Sequence, residues 1–350
     1  MKKAPEKILI AGAGVMGLTV AYALKRRFPA ALITVIGHTA HSASLMAGGM
    51  LAPFSEIEHL PEHYTPAALH GMDFWESLQH SKIGFLKSGS LLLAHPGDEH
   101  MLDRFAQKIS GHDVVQQMDA SGIQNLEPSI SKKFNRGMFI QNESCVHPAR
   151  ALGYLADETG PIANRDCDIE IEQAKNDFVI DCRGYGAANN DPDLRGVKGE
   201  TIILRNKEFI LNRPVRLMHP RYPIYIVPRP AHEFMIGATI IESADERVTV
   251  KGTMELLSAA YSLHPSFGEA ELIEAKAGIR PAYPDNFPRV TVKGNVIGCN
   301  GLFRHGYLLA PVMAECVADT IAGKDNEFSH LFMRNHEHHN QRNENRYNRA

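Results

Sequence analysis

An α/β fold is predicted, with a parallel βαβ unit at the start of the chain and a separate antiparallel sheet in its middle. Two observations carry this. Lys7 to Ala11 and Leu32 to Ile36 are apolar runs of strand length, and Gly14 to Phe28 between them repeats its apolar residues with the helical period. From Gly199 to Ile241 the pattern turns strand-rich, with Thr201 to Leu204, Tyr225 to Pro228 and Phe234 to Ile240 its clearest members. At 350 residues the chain suits one compound domain or two interleaved ones.

The remaining elements follow in order. Helical stretches are predicted around Pro66 to Gln79 and Glu99 to Lys108, with a short alternating strand at Gly89 to Ala94 between them. A helix starts at Pro148, where a missing N–H costs nothing. Two strands are expected at Asp168 to Glu172 and Phe178 to Asp181, and the second closes in Arg183-Gly184-Tyr185-Gly186. Met254 to His264 returns to helix and Val290 to Cys299 contains strands. Gly306 to Gly323 reads as an amphipathic helix with a glycine C-cap. The tail after Phe332 is polar, has little to bury and is expected to fray.

Composition excludes several partners. Lys and Arg number 37 against 40 Asp and Glu, with no long block of one sign, so neither nucleic acid nor a membrane surface is expected. A small neutral or zwitterionic partner fits better. Five cysteines, Cys145, Cys167, Cys182, Cys299 and Cys316, form no CxxC pair and are odd in number, as in a reduced cytoplasmic protein. Met1-Lys2-Lys3 before Ile8 to Leu24 imitates a secretory signal, but Glu6 interrupts the basic start and Lys25-Arg26-Arg27 stands where a cleavage site should. No stretch is long and apolar enough to span a membrane. His336-Glu337-His338-His339 lies in the polar tail without a scaffold, so no metal is assigned. Neither HExxH nor a nucleophile elbow occurs.

Gly12-Ala13-Gly14-Val15-Met16-Gly17 stands between the first strand and the first helix. In this dinucleotide fingerprint Gly12 makes the tight turn, Gly14 admits a pyrophosphate, and Gly17 lets helix and strand approach. Val15 and Met16 open the helix whose N–H groups face the phosphates. One companion is missing: no Asp or Glu occurs between Glu6 and Glu56, so nothing acidic ends the second strand to hold the adenosine ribose. Gly37 and His38 occupy the place. Either backbone groups, His38 or water take the ribose hydroxyls, or cofactor affinity is reduced.

Further motifs recur in one order: Gly48-Gly49-Met50-Leu51-Ala52-Pro53 with Glu56, Tyr225-Ile226-Val227-Pro228-Arg229, Ile236-Gly237-Ala238-Thr239, Gly278-Ile279-Arg280-Pro281, and Phe303-Arg304-His305-Gly306-Tyr307-Leu308-Leu309-Ala310-Pro311. From about Lys7 to Gly323 the chain resembles the FAD-dependent amine oxidases of the D-amino acid oxidase superfamily, and most closely the glycine oxidases of thiamine biosynthesis. The resemblance implies a Rossmann-like FAD-binding domain with an interleaved antiparallel-sheet substrate domain. Expected boundaries are 1–85, 140–198 and 276–330 for the FAD domain, 86–139 and 199–275 for the substrate domain, and 331–350 for the tail.

The same resemblance implies hydride transfer from the α carbon of a small amino acid to FAD, an imine product, and reoxidation by oxygen with release of hydrogen peroxide. Arg280 is similar to the arginine that grips the substrate carboxylate, and its planar fork suits a bidentate pair. Tyr225 matches a tyrosine whose hydroxyl reaches that carboxylate, and Arg304 an arginine beside the flavin. Leu302, Phe303, Arg304, His305, Gly306, Tyr307 and Leu308 match the turn along the flavin ring. Gly48, Gly49 and Met50 match a loop on its other side, and Ala43 and Ser44 positions near the pyrophosphate. Gly48 stands where these oxidases often carry alanine. Each has a plainer reading: an ion pair for Arg280 or Arg304, a core aromatic for Tyr225, core filling for Met50, a helix cap for Ser44. The implied partners extend to a homo-oligomer and a thiazole synthase that takes over the imine. A D-amino acid or sarcosine oxidase or dehydrogenase of the same fold, and a catalytically weak flavoprotein scaffold, are the rival readings.

Overall fold

A computed structural model of the chain describes residues 4–39, 42–218 and 223–334. The polar tail expected to fray, with its histidine cluster His336-Glu337-His338-His339, lies outside the described residues. The chain forms two compact units, one from Met1–Thr39, Leu155–Arg195 and Pro281–Ala350, the other from Ala40–Tyr154 and Gly196–Arg280.

In the first unit the opening strand β1 (Lys7–Ala11) leads through helix α1 (Val15–Arg27) to β2 (Leu32–Ile36). The unit is completed by β3 (Ile162–Ala163), β4 (Phe178–Asp181), β5 (Arg289–Lys293), β6 (Val296–Asn300), helix α2 (Gly306–Ala322) and β7 (Met333–Arg334). Its sheet has the order β7-β5-β6-β4-β1-β2-β3. β1 runs parallel to both neighbours, with Ala11 opposite Ile36 on one side and Asp181 on the other. Ile8 and Ile10 on β1 are fully buried, as a central parallel strand requires, and each contributes about 1.5–3 kcal/mol of apolar burial. α1 packs against α2. Most of α2 is buried, so its expected amphipathic face is in fact apolar nearly all round; it ends at Gly323 with φ 64°, as the C-cap predicts.

One expected strand is a helix. Ile169–Gln173 is α-helical because Asp168 caps it, its carboxylate accepting from the N–H groups of Glu170 and Ile171 at 3.0 and 3.3 Å. Glu170 and Glu172 then sit favourably in the first turn. The alternation of Ile169 and Ile171 imitates a strand, but the cap decides.

The second unit is built on a nine-stranded sheet. From one edge the order is Ile241–Glu242, Arg195–Arg205, Glu233–Gly237, Ile224–Arg229, Val215–Met218, Ser90–Ala94, Arg136–Ile140 and Val115–Asp119, while Glu271–Ala282 also pairs with Arg195–Arg205. The sheet is not wholly antiparallel as expected, since Val215–Met218 pairs in parallel with Ser90–Ala94. Strand alternation sorts the faces. Ile224 and Ile226 join a core with Phe209, Phe234, Leu256 and Leu263, the last two from the helix Val250–Leu263. Tyr225 and Val227 pack instead with Cys145 and Met235, against Met50 and Leu86.

The unit boundaries near 40 and 155 do not coincide with those expected at 85 and 140. Segments 40–85 and 140–154 group with the larger sheet because they are tied to each other. Met50–Leu51 pairs with Ser144–Cys145, and the buried Glu143 carboxylate accepts from Phe54 N–H at 3.1 Å, Ser55 N–H at 2.6 Å and Ser55 Oγ–H at 2.6 Å.

Candidate cofactor and substrate residues

In the first unit the glycine turn is required by its surroundings. Gly12 has φ 113°, and a Cβ there would overlap the Cys182 carbonyl. A Cβ on Gly17 would overlap the carbonyl of Gly12, so helix and strand are in backbone contact. One on Gly37 would stand 2.9 Å from Ala13 N, so the end of β2 lies directly against the turn. Gly14 is the N-cap of α1, with no side-chain cap and no acid in the first turn with Val15 and Met16. Bare backbone N–H donors at a positive helix end are the donor set a pyrophosphate needs.

The 302–308 turn lies beside it. Gly306 opens α2, and a Cβ on it would be 3.5 Å from Cγ1 of Val15, so the first turns of α1 and α2 meet. α2 also lacks a side-chain cap and a first-turn acid. Two adjacent positive helix ends without acidic compensation favour a ligand that carries negative charge. Phe303 holds a left-handed φ of 46°, fixed by its N–H to Pro281 O at 2.9 Å, and His305 N–H returns to Leu302 O at 2.8 Å. Such strain in a non-glycine residue concentrates at functional sites. Arg304 is half-buried in this turn, whereas Leu302, His305, Tyr307 and Leu308 are buried.

His38 is exposed, with Nδ1 2.5 Å from Asn164 Oδ1 and Nε2 3.2 Å from Asp166 Oδ1. Both partners lie just beyond β3. Gly12, Gly14, Val15, Met16, Gly17, Gly37, His38 and the 302–308 turn thus all belong to one unit.

The second unit carries Tyr225, Arg280, Ala43, Ser44 and Gly48 to Met50. Tyr225 is buried and donates its hydroxyl proton to the buried Glu56 carboxylate. Arg216 lies behind this pair, fully buried, with its guanidinium 6.0 Å from the Tyr225 ring centre. It donates to Ser55 O at 2.5 Å and to Glu58 at 2.7 Å, fastening the segment that bears Glu56. Burial alone would pull the guanidinium down, but Tyr225, Glu56 and Glu58 outweigh it and hold Arg216 above its ordinary value. Burial raises Glu58, but Arg216 and Lys108 together outweigh it and hold the carboxyl below its ordinary value. Burial pushes the Glu143 carboxyl up.

Arg280 stands two residues before the end of the long strand Glu271–Ala282, and its Nη1 donates to the carbonyls of Thr239 at 3.1 Å and Lys198 at 3.4 Å. Its guanidinium lies flat over Gly199, where a Cβ would overlap it. Two residues earlier Gly278 faces Ala43 and Met46. Ser44 lies within the short helix Ala43–Met46; the cap is Ser42, whose hydroxyl accepts from Leu45 N–H at 3.3 Å. Gly49 has φ 67° and its Cβ would overlap the Val146 carbonyl, while Gly48 O accepts from Arg229 at 2.7 Å. Met50 is part of the Tyr225 cluster, so it fills a core while flanking the tyrosine.

No local pattern in the sequence marks the roles of Glu58 and Glu143. Arg216 stands in the apolar strand Val215–Met218, and an isolated arginine there is the one available signal. Glu56 is marked in the sequence only by its place after the Gly48 to Pro53 motif.

Residues 7–320 match the DAO family of FAD dependent oxidoreductases. The chain is 43% identical over 323 residues to the thiamine biosynthesis oxidoreductase ThiO of Rhizobium etli, a match that covers 89% of this chain and 95% of that protein. Identity to the glycine oxidase of Bacillus licheniformis is 25% over 363 residues, covering 92% and 94%. The crystal structure of glycine oxidase from Geobacillus kaustophilus has a TM-score of 0.79 at 24% identity, over 95% of this chain and 99% of that one, which shows the shared fold.

Proposed function

The chain belongs to the DAO family of FAD dependent oxidoreductases, and on that premise we propose that it oxidises glycine, or an amino acid of similar size, to its imine for the thiazole branch of thiamine biosynthesis. The observation that carries the substrate reading is Arg280, a guanidinium steadied by two backbone carbonyls over the bare backbone of Gly199. Its fork suits a carboxylate.

Each unit has its own task. The glycine turn and the start of α1 would hold the pyrophosphate, and the 302–308 turn with the start of α2 would face the charge that gathers on the pyrimidine edge of the flavin. FAD, when bound, supplies the acceptor for the α-carbon hydride. Arg280 binds and orients the substrate carboxylate, which brings the α carbon into a reactive pose. The Tyr225 hydroxyl donates its hydrogen bond to Glu56, so the lone pairs of its oxygen and of the carboxylate together offer acceptors, which suits the amino group of the substrate rather than its carboxylate. Loss of a hydride and a proton from glycine leaves the imine, and oxygen takes up two electrons and two protons to give hydrogen peroxide. The imine hydrolyses readily in water, which gives reason for transfer to a thiazole-forming partner.

Among the described residues no helix is long and apolar enough to cross a membrane, and all five cysteines are free thiols, which supports a reducing, cytoplasmic setting. The test is turnover of glycine, sarcosine, D-alanine and D-proline in air with peroxide as readout. Glycine or sarcosine is expected to lead; a strong preference for D-proline would shift the assignment to a D-amino acid oxidase, and no turnover of any would remove the enzymatic reading.

A further inference from the structure

We propose that Asp166, held beside His38, supplies from the neighbouring strand the carboxylate that the dinucleotide fingerprint ordinarily places at the end of β2, and that it binds the adenosine ribose of FAD. The inference rests on the FAD reading above and assigns a residue to it. In parallel sheets ligands bind outside the carboxyl ends of the strands, and an acid after the second strand takes the ribose hydroxyls. Here no acid follows β2 until Glu56.

The sheet offers a substitute. β2 and β3 pair in parallel, Val35 opposite Ile162 and Ile36 opposite Ala163, so both strands end at one level. Gly37 N–H donates to Ala163 O at 3.0 Å and extends the register by one residue. Arg165 N–H turns back onto the same carbonyl at 2.9 Å, which brings residues 164–166 over the end of β2. There Asn164 and Asp166 meet the two ring nitrogens of His38 at 2.5 and 3.2 Å.

Place and chemistry agree. Gly37 lies against Ala13 and Gly12, so the His38–Asp166 pair is one short step from the pyrophosphate turn, where the adenosine ribose must follow. The Asp166 side chain is fully exposed, and a cavity of about 700 Å³ lined by Arg165, Asp166, Cys167, Arg183 and Asn190 among others opens beside it. A carboxylate that accepts from vicinal hydroxyls forms charge-assisted hydrogen bonds, and the imidazole both orients it and adds a polar contact. Asn164 acts through His38 and is a positioning residue.

Full-length protein stripped of flavin is titrated with FAD, with FAD carrying 2′-deoxyadenosine, and with FMN, and Kd is read from the change in flavin fluorescence. Asp166→Ala is expected to weaken FAD about tenfold and leave FMN, which lacks the adenosine, unchanged. Wild type is expected to discriminate against the 2′-deoxy cofactor, and the variant to lose that discrimination. Asp166 is exposed, so the variant folds. An unchanged Kd for FAD in Asp166→Ala, or an equal loss for FAD and FMN, overturns the assignment. Wild type that binds no FAD at all would overturn the functional reading instead.

Discussion

Replacing Gly199 by alanine tests the carboxylate clamp without touching Arg280 itself. A Cβ at Gly199 would overlap the guanidinium carbon and both terminal nitrogens of Arg280. The obstructed atoms are the end of a flexible side chain, so the guanidinium shifts while the strands stay. Ordinary contact is restored by a shift of about 1 Å. The stability change is expected within about 1 kcal/mol, because alanine recovers chain entropy that offsets the crowding. A reacting group misplaced by about 1 Å costs roughly 100-fold, or ~2.7 kcal/mol of transition-state binding. Oxygen uptake against glycine concentration should therefore show a kcat/KM about 100-fold lower, in protein with unaltered FAD content and a thermal midpoint within a few degrees of wild type. Gly153→Ala, in the helix Pro148–Thr159 with nothing within 4 Å of the new Cβ, is the control and should leave kinetics unchanged. Wild-type kcat/KM for glycine in Gly199→Ala refutes the placement of the substrate carboxylate on Arg280.

Other perturbations separate the parts. Gly17→Ala sets a Cβ against the backbone carbonyl of Gly12, which cannot step aside; about 1–3 kcal/mol of stability and the yellow colour of the purified protein should both be lost. Tyr225→Phe leaves the buried Glu56 carboxylate without that donor, at a cost of about 1–3 kcal/mol, and should raise KM for glycine about tenfold with FAD retained. Burial, helped by Arg229 and Arg150, lowers His147 from 6.5 to about 4. Between those values the unfolded chain binds more protons, so this contribution is complete above pH 6.5 and is lost as pH falls to about 4, roughly 2–3 kcal/mol in all. Urea unfolding at a series of pH values should show that slope, and His147→Gln should flatten it.

The first unit is largely legible in sequence because its signals are local. A strand, a spaced glycine turn and a helix lie within residues 7–27, and each glycine is needed where it stands. The Ile169–Gln173 helix is hidden in the sequence because its two alternating isoleucines imitate a strand, and only the cap at Asp168 marks the helix start. The parallel pairing of Ser90–Ala94 with Val215–Met218 joins residues more than a hundred apart, and no local pattern specifies it. The same holds for substrate-side chemistry. Arg280 and Tyr225 stand in recognisable motifs, but the buried Arg216 that fastens Ser55 and Glu58 acts only through the folded sheet. Likewise the missing acid after β2 is visible in sequence, whereas Asp166 meets His38 only once β2 and β3 are paired.

The most direct measurement is the visible spectrum of the purified protein mixed with glycine under nitrogen. Flavin absorbance is expected to be present beforehand, to bleach on addition of glycine, and to return on admission of air with one equivalent of hydrogen peroxide per turnover. A protein that carries FAD and stays oxidised with glycine, or with any small amine, would contradict the assignment of this chain as an amino acid oxidase.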